Sequence, residues 1–420
     1  MNTRREDTNP THEQASASEV IIPIRGVVQR YSWGKPGRSS RVGVLSKEAE
    51  NAPQEPFAEL WFGAHRSHPS PLVSPHGSAT THHLATNLLE YLSVREESCT
   101  AQSKQPVGLP FLLKVLSVGA PLSIQLHPTK HQAEKLHKDD PSHYPDSNHK
   151  PELAVALTEV ELVCGVSSPE KIIAILTAIP ELASLLGHEV TTAPRDTLVR
   201  RLFSELFTRS KDELEKLVAI TLHRAASIPF LAHNLRWALI AKEQSSLADP
   251  GLLVLLLLEH IALQPGEAVY IAPGVPHAYL SGDLVECMAS SDNVVRAGLT
   301  PKFIDITAFL ELLQCDAQLT HRLSPVSDGT TAAKYFTPPV KDFALIRCTH
   351  TSGYLRAHTT GPAIVFCNEG EITITCPSSQ LTYVVSSGEA VFVPHVTPTL
   401  RYAADSADMF IACSSHQEAA

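Results

Sequence analysis

The sequence predicts a mainly β protein with a helical insertion: two double-sheet jelly rolls and an α-helical block. Three observations predict it. Short apolar runs bounded by Pro, Gly, Ser and Asn fill both ends of the chain, as strands between turns do. Residues 169–249 instead place apolar side chains three and four apart, the helical period. Finally, Gly266-Glu267-Ala268-Val269 running into Pro273 is echoed by Gly388-Glu389-Ala390-Val391 running into Pro394. A turn glycine, an apolar run and a proline suit a strand entering a tight turn of a jelly roll.

Taken in order, residues 1–18 are polar and of mixed charge, and read as a tail without a signal peptide's apolar run. Residues 19–167 and 251–320 form the first jelly roll, with strands at 21–24, 111–118 and 153–157 and a Ser/Pro/His-rich loop at 65–83. Residues 168–250 form the helical insertion. Ser168-Pro169-Glu170 marks a helix start with proline in its first turn, and few of the insertion's residues suit chemistry. Residues 321–420 form a second, degenerate roll, because its repeat copy lacks a histidine at the position of His277 and His395 is out of register.

At 420 residues, two or three domains are expected. A net charge of −10 argues against a nucleic-acid or membrane-surface partner, and the apolar run 252–258 is far below the ~20 residues of a spanning helix. The eight cysteines are scattered without a Cys-x-x-Cys pair, which points to buried thiols in a reducing cytoplasm. A monomer is expected.

Four stretches carry candidate chemistry. Gln125 and His127 stand two apart and share a strand face, a pattern that also describes an ordinary half-exposed strand. Asn148-His149-Lys150-Pro151-Glu152 ends where a loop enters an apolar run, and reads either as a ligand position or as a solvated turn. Pro273-Gly274-Val275-Pro276-His277-Ala278-Tyr279 fixes the backbone around one imidazole. Together Gln, His, Glu and His offer nitrogen and oxygen donors without sulfur, a set suited to Zn²⁺ with an open position. The stretch 281–302 places Glu286 before Arg296 and Lys302. Those two cations suit a phosphate or a developing oxyanion, Glu286 suits proton transfer, and a surface turn with ion pairs is the plain alternative. His131, His137 and His143 read as loop residues without a role.

These motifs resemble the type I mannose-6-phosphate isomerases. The resemblance rests on Gln125-Leu126-His127-Pro128, Asn148 to Glu152, Pro276-His277-Ala278-Tyr279-Leu280-Ser281-Gly282-Asp283 and Ser291-Asp292-Asn293-Val294-Val295-Arg296-Ala297-Gly298-Leu299-Thr300-Pro301-Lys302. Tyr31-Ser32-Trp33-Gly34 and Ala58-Glu59-Leu60-Trp61-Phe62-Gly63-Ala64-His65 resemble the family's opening motifs, with Ser32 in place of a commoner aspartate. The resemblance implies cupin jelly rolls and one zinc per chain on Gln125, His127, Glu152 and His277. It implies a mechanistic arginine at Arg296, with Tyr279, Glu286, His149 and Lys150 around the pocket. Lys114, Ser123 and Lys302 are then the candidates for a sugar phosphate. Two rival readings remain: a cupin of other chemistry such as an iron oxygenase, and a non-catalytic sugar-phosphate-binding cupin.

Overall fold

The computed structural model describes residues 21–414 apart from 74–84, 100–108, 188–193, 316–319, 328–331, 356–357, 360, 378–379 and 395–399. The N-terminal tail, most of the 65–83 stretch and His395 therefore lie outside the described residues. Strand outweighs helix, as expected.

One strand organises the first sheet system. His277–Ala289 is 13 residues long and serves two sets of neighbours. Its first residues pair with Ile124–Leu126 and Val160–Val166, and its later ones with Phe111–Val118 and Glu152–Ala156. The change occurs at a register shift between Tyr279 and Ser281, next to Gly282. Gly282 has φ of 111°, and a Cβ there would lie 2.5 Å from the Glu159 carbonyl oxygen, so only glycine fits this bend.

Alternation along these strands separates two environments. Leu113, Val115, Leu153, Val155, Val285 and Cys287 point outward into a core shared with Phe336, Phe343, Ile364, Phe366, Phe392 and Phe410 of the C-terminal part of the chain. Leu112, Lys114, Leu116, Glu152, Ala154, Leu284, Glu286 and Met288 occupy the alternate positions. The apolar ones among them join two inner clusters, with Val160, Leu162, Val269 and Ile271 in the larger and Trp61 in the smaller. Every residue of Phe111–Val118 and Glu152–Ala156 is buried, so the charged groups on the inner face are buried by the pleat itself.

The C-terminal sheet has eight strands and takes in Ile22–Ile24, which pairs with Ala390–Val393. Conversely, Thr320–Leu323 pairs with Ala268–Ile271 of the first system. The start of the first segment thus joins the far sheet, and the start of the last segment joins the first. The two repeat copies adopt the same local form. Gly266 and Gly388 have φ of 88° and 87°, and each precedes a four-residue buried strand, Ala268–Ile271 or Ala390–Val393. In both, the glutamate side chain turns back to a backbone N–H three residues earlier.

The insertion forms helices Pro169–Ala178, Pro180–Ser184, Arg195–Thr208, Lys211–Ala225 and Ala232–Lys242. Ser168 caps the first by accepting from Lys171 N, with proline at its start. Their apolar faces pack with Gly251–Leu257 against Ile124, Leu126, Ala278 and Leu280. Two expectations are corrected. The region read as β with loops contains the helices Leu88–Cys99 and Lys130–Asp139. His131 and His137 are helical, not loop, because Thr129 and Gln132 form a capping box that starts the second of these. His137 Nδ1 donates to the Tyr144 carbonyl at 2.7 Å, and His143 stacks on Phe303.

Replacing Gly282 by alanine is expected to cost about 2 kcal/mol of stability, through a disallowed φ and the clash with Glu159. A lowered urea midpoint with an unchanged helix signal in native buffer would show it.

Candidate metal centre and substrate cavity

His127, Glu152 and His277 meet inside the first sheet system, one donor atom from each lying within 4.8 Å of the others. Glu152 Oε1 is 3.2 Å from His127 Nε2, and Glu152 Oε2 is 3.3 Å from His277 Nε2. Each imidazole is held from behind. His127 Nδ1 lies 2.9 Å from the Asn293 carbonyl oxygen and His277 Nδ1 lies 3.0 Å from that of Val275. A carbonyl only accepts, so Nδ1 carries the hydrogen in both rings and each Nε2 presents a lone pair to the carboxylate.

Both Nε2 atoms and Glu152 Oε2 are buried without a hydrogen-bond partner. Three lone-pair-bearing atoms held this close in a dry site repel one another unless a cation lies among them. The residues therefore fit a divalent metal, and the nitrogen–oxygen donor set suits zinc. Burial, then the charge of Lys150, lowers the pKa of His127 to about 4. Burial alone would raise Glu152, but the charge of Lys150, at 3.0 Å, holds it well below the usual carboxylate range. Its charge is thus available at neutral pH.

Strand register explains the approach of Gln125. It stands directly opposite His277 on one side and Arg296 on the other, so the three side chains share one face of the sheet. Gln125, Glu152, Lys150 and Arg296 line a cavity of about 920 Å³, together with Ser123, Tyr279, Glu286, Lys114 and Lys302. Burial lowers the pKa of Arg296 and of Lys302, and Arg296 lowers Lys302 further. Among the described residues neither forms an ion pair, which leaves two neighbouring cations facing the cavity.

The motif Ser291-Asp292-Asn293 holds the centre from outside. Asn293 Nδ2 donates to the carbonyls of Asp146 at 2.7 Å and Asn148 at 2.9 Å, and Ser291 Oγ donates to Asp146 Oδ1. These bonds fix the carbonyl that orients His127. Asp249 does the same for the Lys302 loop, accepting from Leu299 N and Gly251 N at 2.8 Å each.

Two placements differ from the sequence reading. Lys114 lines the same cavity as Arg296 and Lys302 but is paired with acids there. It lies 3.5 Å from Glu59 and 3.7 Å from Glu286, over the Trp61 ring, and these carboxylates raise its pKa against the opposing effect of burial. His149 is not brought to the cavity wall. Its Nε2 faces Asp342 Oδ2 at 3.0 Å, toward the C-terminal part of the chain. Glu286 accepts from Tyr279 OH at 3.0 Å, and burial, followed by the charge of Glu152, raises its pKa to about 7.

The sequence reading gave no site role to Glu59, Trp61, His65 or Asp292, which also line the cavity. Alternation of Glu59 and Trp61 on one strand face was the available signal. Ala241, Gln244, Ser245 and Ser246 of the insertion form part of the wall as well, although few of the insertion's residues suit chemistry. Nothing in their composition marks them.

A buried two-histidine, one-carboxylate centre at the base of a cation-rimmed cavity defines a metal-dependent enzyme acting on an anionic substrate. Residues 21–168 match the family model "Phosphomannose isomerase type I, catalytic domain". Mannose-6-phosphate isomerase from Homo sapiens is 34% identical over 404 residues, covering 90% of this chain and 94% of the relative. That from Candida glabrata is 36% identical over 404 residues, covering 87% and 92%. A solved variant of phosphomannose isomerase from Salmonella typhimurium aligns with a TM-score of 0.79 at 29% identity, covering 94% of this chain and 100% of the other. A structure of mannose 6-phosphate isomerase bound with zinc and yttrium aligns at 0.77 and 28% identity, with the same coverage. The chain belongs to the type I mannose-6-phosphate isomerase family and is an isomerase of that kind, as its motifs led us to expect.

Asn293→Ala removes the bonds that fix the carbonyl behind His127. Zinc affinity is expected to fall about 10- to 100-fold, read by competition with a chromophoric chelator, with the fold retained.

Proposed function

We propose that the protein interconverts mannose 6-phosphate and fructose 6-phosphate by moving a proton between carbons 1 and 2 through an enediol. The catalytic zinc ion is held by Gln125, His127, Glu152 and His277, one such centre in each chain. The observation that carries this reading is the pair of bare imidazole nitrogens facing a buried carboxylate, one sheet rung from Arg296 and at the base of a cavity. Bound zinc supplies positive charge near the reacting oxygens, worth several kcal/mol in the transition state.

The chain's own residues divide the remaining work. Arg296, beside Gln125 and without a paired acid among the described residues, faces the negative charge that develops on two adjacent oxygens. Lys302 and Ser123, both on the cavity wall, hold the phosphate. Glu286 carries the proton. Its raised pKa places the change between acid and base near neutral pH, and Tyr279 OH holds one oxygen in position. Lys114 steadies Glu286 and Glu59 and does not bind phosphate. Lys150 keeps Glu152 ionised, and His149 positions the Lys150 segment through Asp342. The first sheet system is a cupin jelly roll that carries the metal, and the C-terminal sheet is its degenerate copy, a reading the matched glycine turns support.

A coupled assay on mannose 6-phosphate, run before and after chelation and again with zinc restored, tests the whole reading. Turnover is expected to vanish with the chelator and return with zinc, and a folded, zinc-loaded protein without turnover would overturn it. Arg296→Ala is expected to lose about 10²- to 10³-fold in kcat/KM while keeping its zinc, whereas His277→Ala loses both. If ionised Glu286 accepts the proton, kcat/KM falls as pH drops through about 7. Glu286→Gln is expected to lower activity and to remove that acid limb from the residual rate.

A further inference from the structure

A second set of nitrogen and oxygen donors lies where the helical insertion meets the sheet, and none of its members lines the cavity. Glu161 stands on the strand Val160–Val166, His260 on its antiparallel neighbour Leu258–Leu263, and His233 in the first turn of helix Ala232–Lys242. One ligand atom from each falls within 4.8 Å of the other two.

The fold brings them together by two routes. His260 pairs with Val163 and Ala262 with Glu161, so His260 and Glu161 are diagonal neighbours on one sheet face. Both strands flanking Val160–Val166 shift register at this level, between Leu258 and His260 on one side and between Tyr279 and Ser281 on the other. Such bulges re-aim side chains. On the helix, His233 and Trp237 lie four apart and share a face. Trp237 Nε1 donates to Glu161 Oε2 at 2.7 Å, which seats that face on the sheet and stacks His233 on His260 with ring centres 4.8 Å apart.

Glu161 is only 8% exposed. Besides Trp237, its carboxylate meets His260 Nε2 at 2.8 Å and Arg236 at 3.1 Å. Burial lowers the pKa of His260 although Glu161 opposes this, so the ring is neutral at pH 7. His233 is exposed and gives an ion a way in from solvent.

We infer that Glu161, His233 and His260 form a second transition-metal site, whose occupation staples the helical insertion to the sheet. Two imidazoles and one carboxylate suit Zn²⁺ or Co²⁺ and disfavour Mg²⁺ and Ca²⁺, which prefer oxygen alone. As the ion binds between His260 Nε2 and Glu161, the ring's hydrogen moves to Nδ1 so that the imidazole stays neutral, and exposed His233 turns from its stack to complete the set. Trp237 and Arg236 remain on the carboxylate and compensate its charge. The same helix leads, about 12 Å further on, to Ala241 and then to Gln244, Ser245 and Ser246 of the cavity wall. An ion at its first turn therefore restrains one side of the catalytic cavity without touching substrate.

The test counts ions. Chelator-stripped protein is dialysed against micromolar zinc and the bound metal measured by atomic emission. Two ions per chain are expected for the unmodified protein and one for His233→Ala, which changes an exposed side chain and should keep isomerase activity. His127→Ala separates the two centres: it retains one ion if the second site exists and none if it does not. The unmodified protein should also gain thermal stability between the first and second equivalents of zinc, and His233→Ala should not. One ion in the unmodified protein, or two in His233→Ala, would overturn the inference.

Discussion

The meeting of Glu152 with two imidazole nitrogens that have no hydrogen to offer it is the constraint on which the rest of the site depends. Left alone in a buried layer it is repulsive, and each desolvated ion costs several kcal/mol. The surrounding charges answer that cost. Lys150 lies against Glu152, and Lys114 is shared between Glu59 and Glu286. These charges sit inside because the pleat puts every second residue of Phe111–Val118, Glu152–Ala156 and His277–Ala289 there. The other half of each strand is committed to the apolar core. A buried polar layer of this kind tolerates little rearrangement, which is what a metal centre and a preorganised cavity require.

The parts of the chain that carry no ligand serve this layer from three sides. The C-terminal sheet presses its phenylalanines against the outward faces of the ligand-bearing strands, and Asp342 reaches across to His149, one residue before Lys150. The loop 291–293 ties itself to Asp146 and Asn148 and presents the carbonyl that sets the His127 tautomer. The insertion supplies a wall and, through Asp249, holds the turn that leads to Lys302. Gly298 and Gly251 are glycines because that turn and the following helix touch: a Cβ on Gly298 would lie 2.6 Å from Asp249 Oδ1 and 2.7 Å from Gly251. The insertion is therefore part of the structure that encloses the cavity.

Much of this was legible in the residues. Short apolar runs between turn residues located the strands at 111–118 and 153–157, and a period of three to four located the helical insertion, since burial of one helix face imposes that period. The donor types at 125, 127, 152 and 277 and the cations at 296 and 302 were readable because metal and anion chemistry restricts residue type. The repeat around Gly266 and Gly388 was readable because a left-handed turn before a buried strand all but requires glycine.

What the sequence by itself determined, then, is which residues can form strands, helices and ligands. The tertiary structure decided their company. It turned Lys114 toward two glutamates and His149 toward Asp342. It lent Ile22–Ile24 to the far sheet and set Glu161 beside two histidines from separate elements. The physical reason is that periodicity reports only the face on which a side chain lies. Its neighbours across that face are fixed by strand register and by bulges, such as the one beside Gly282, and these depend on contacts between segments more than a hundred residues apart.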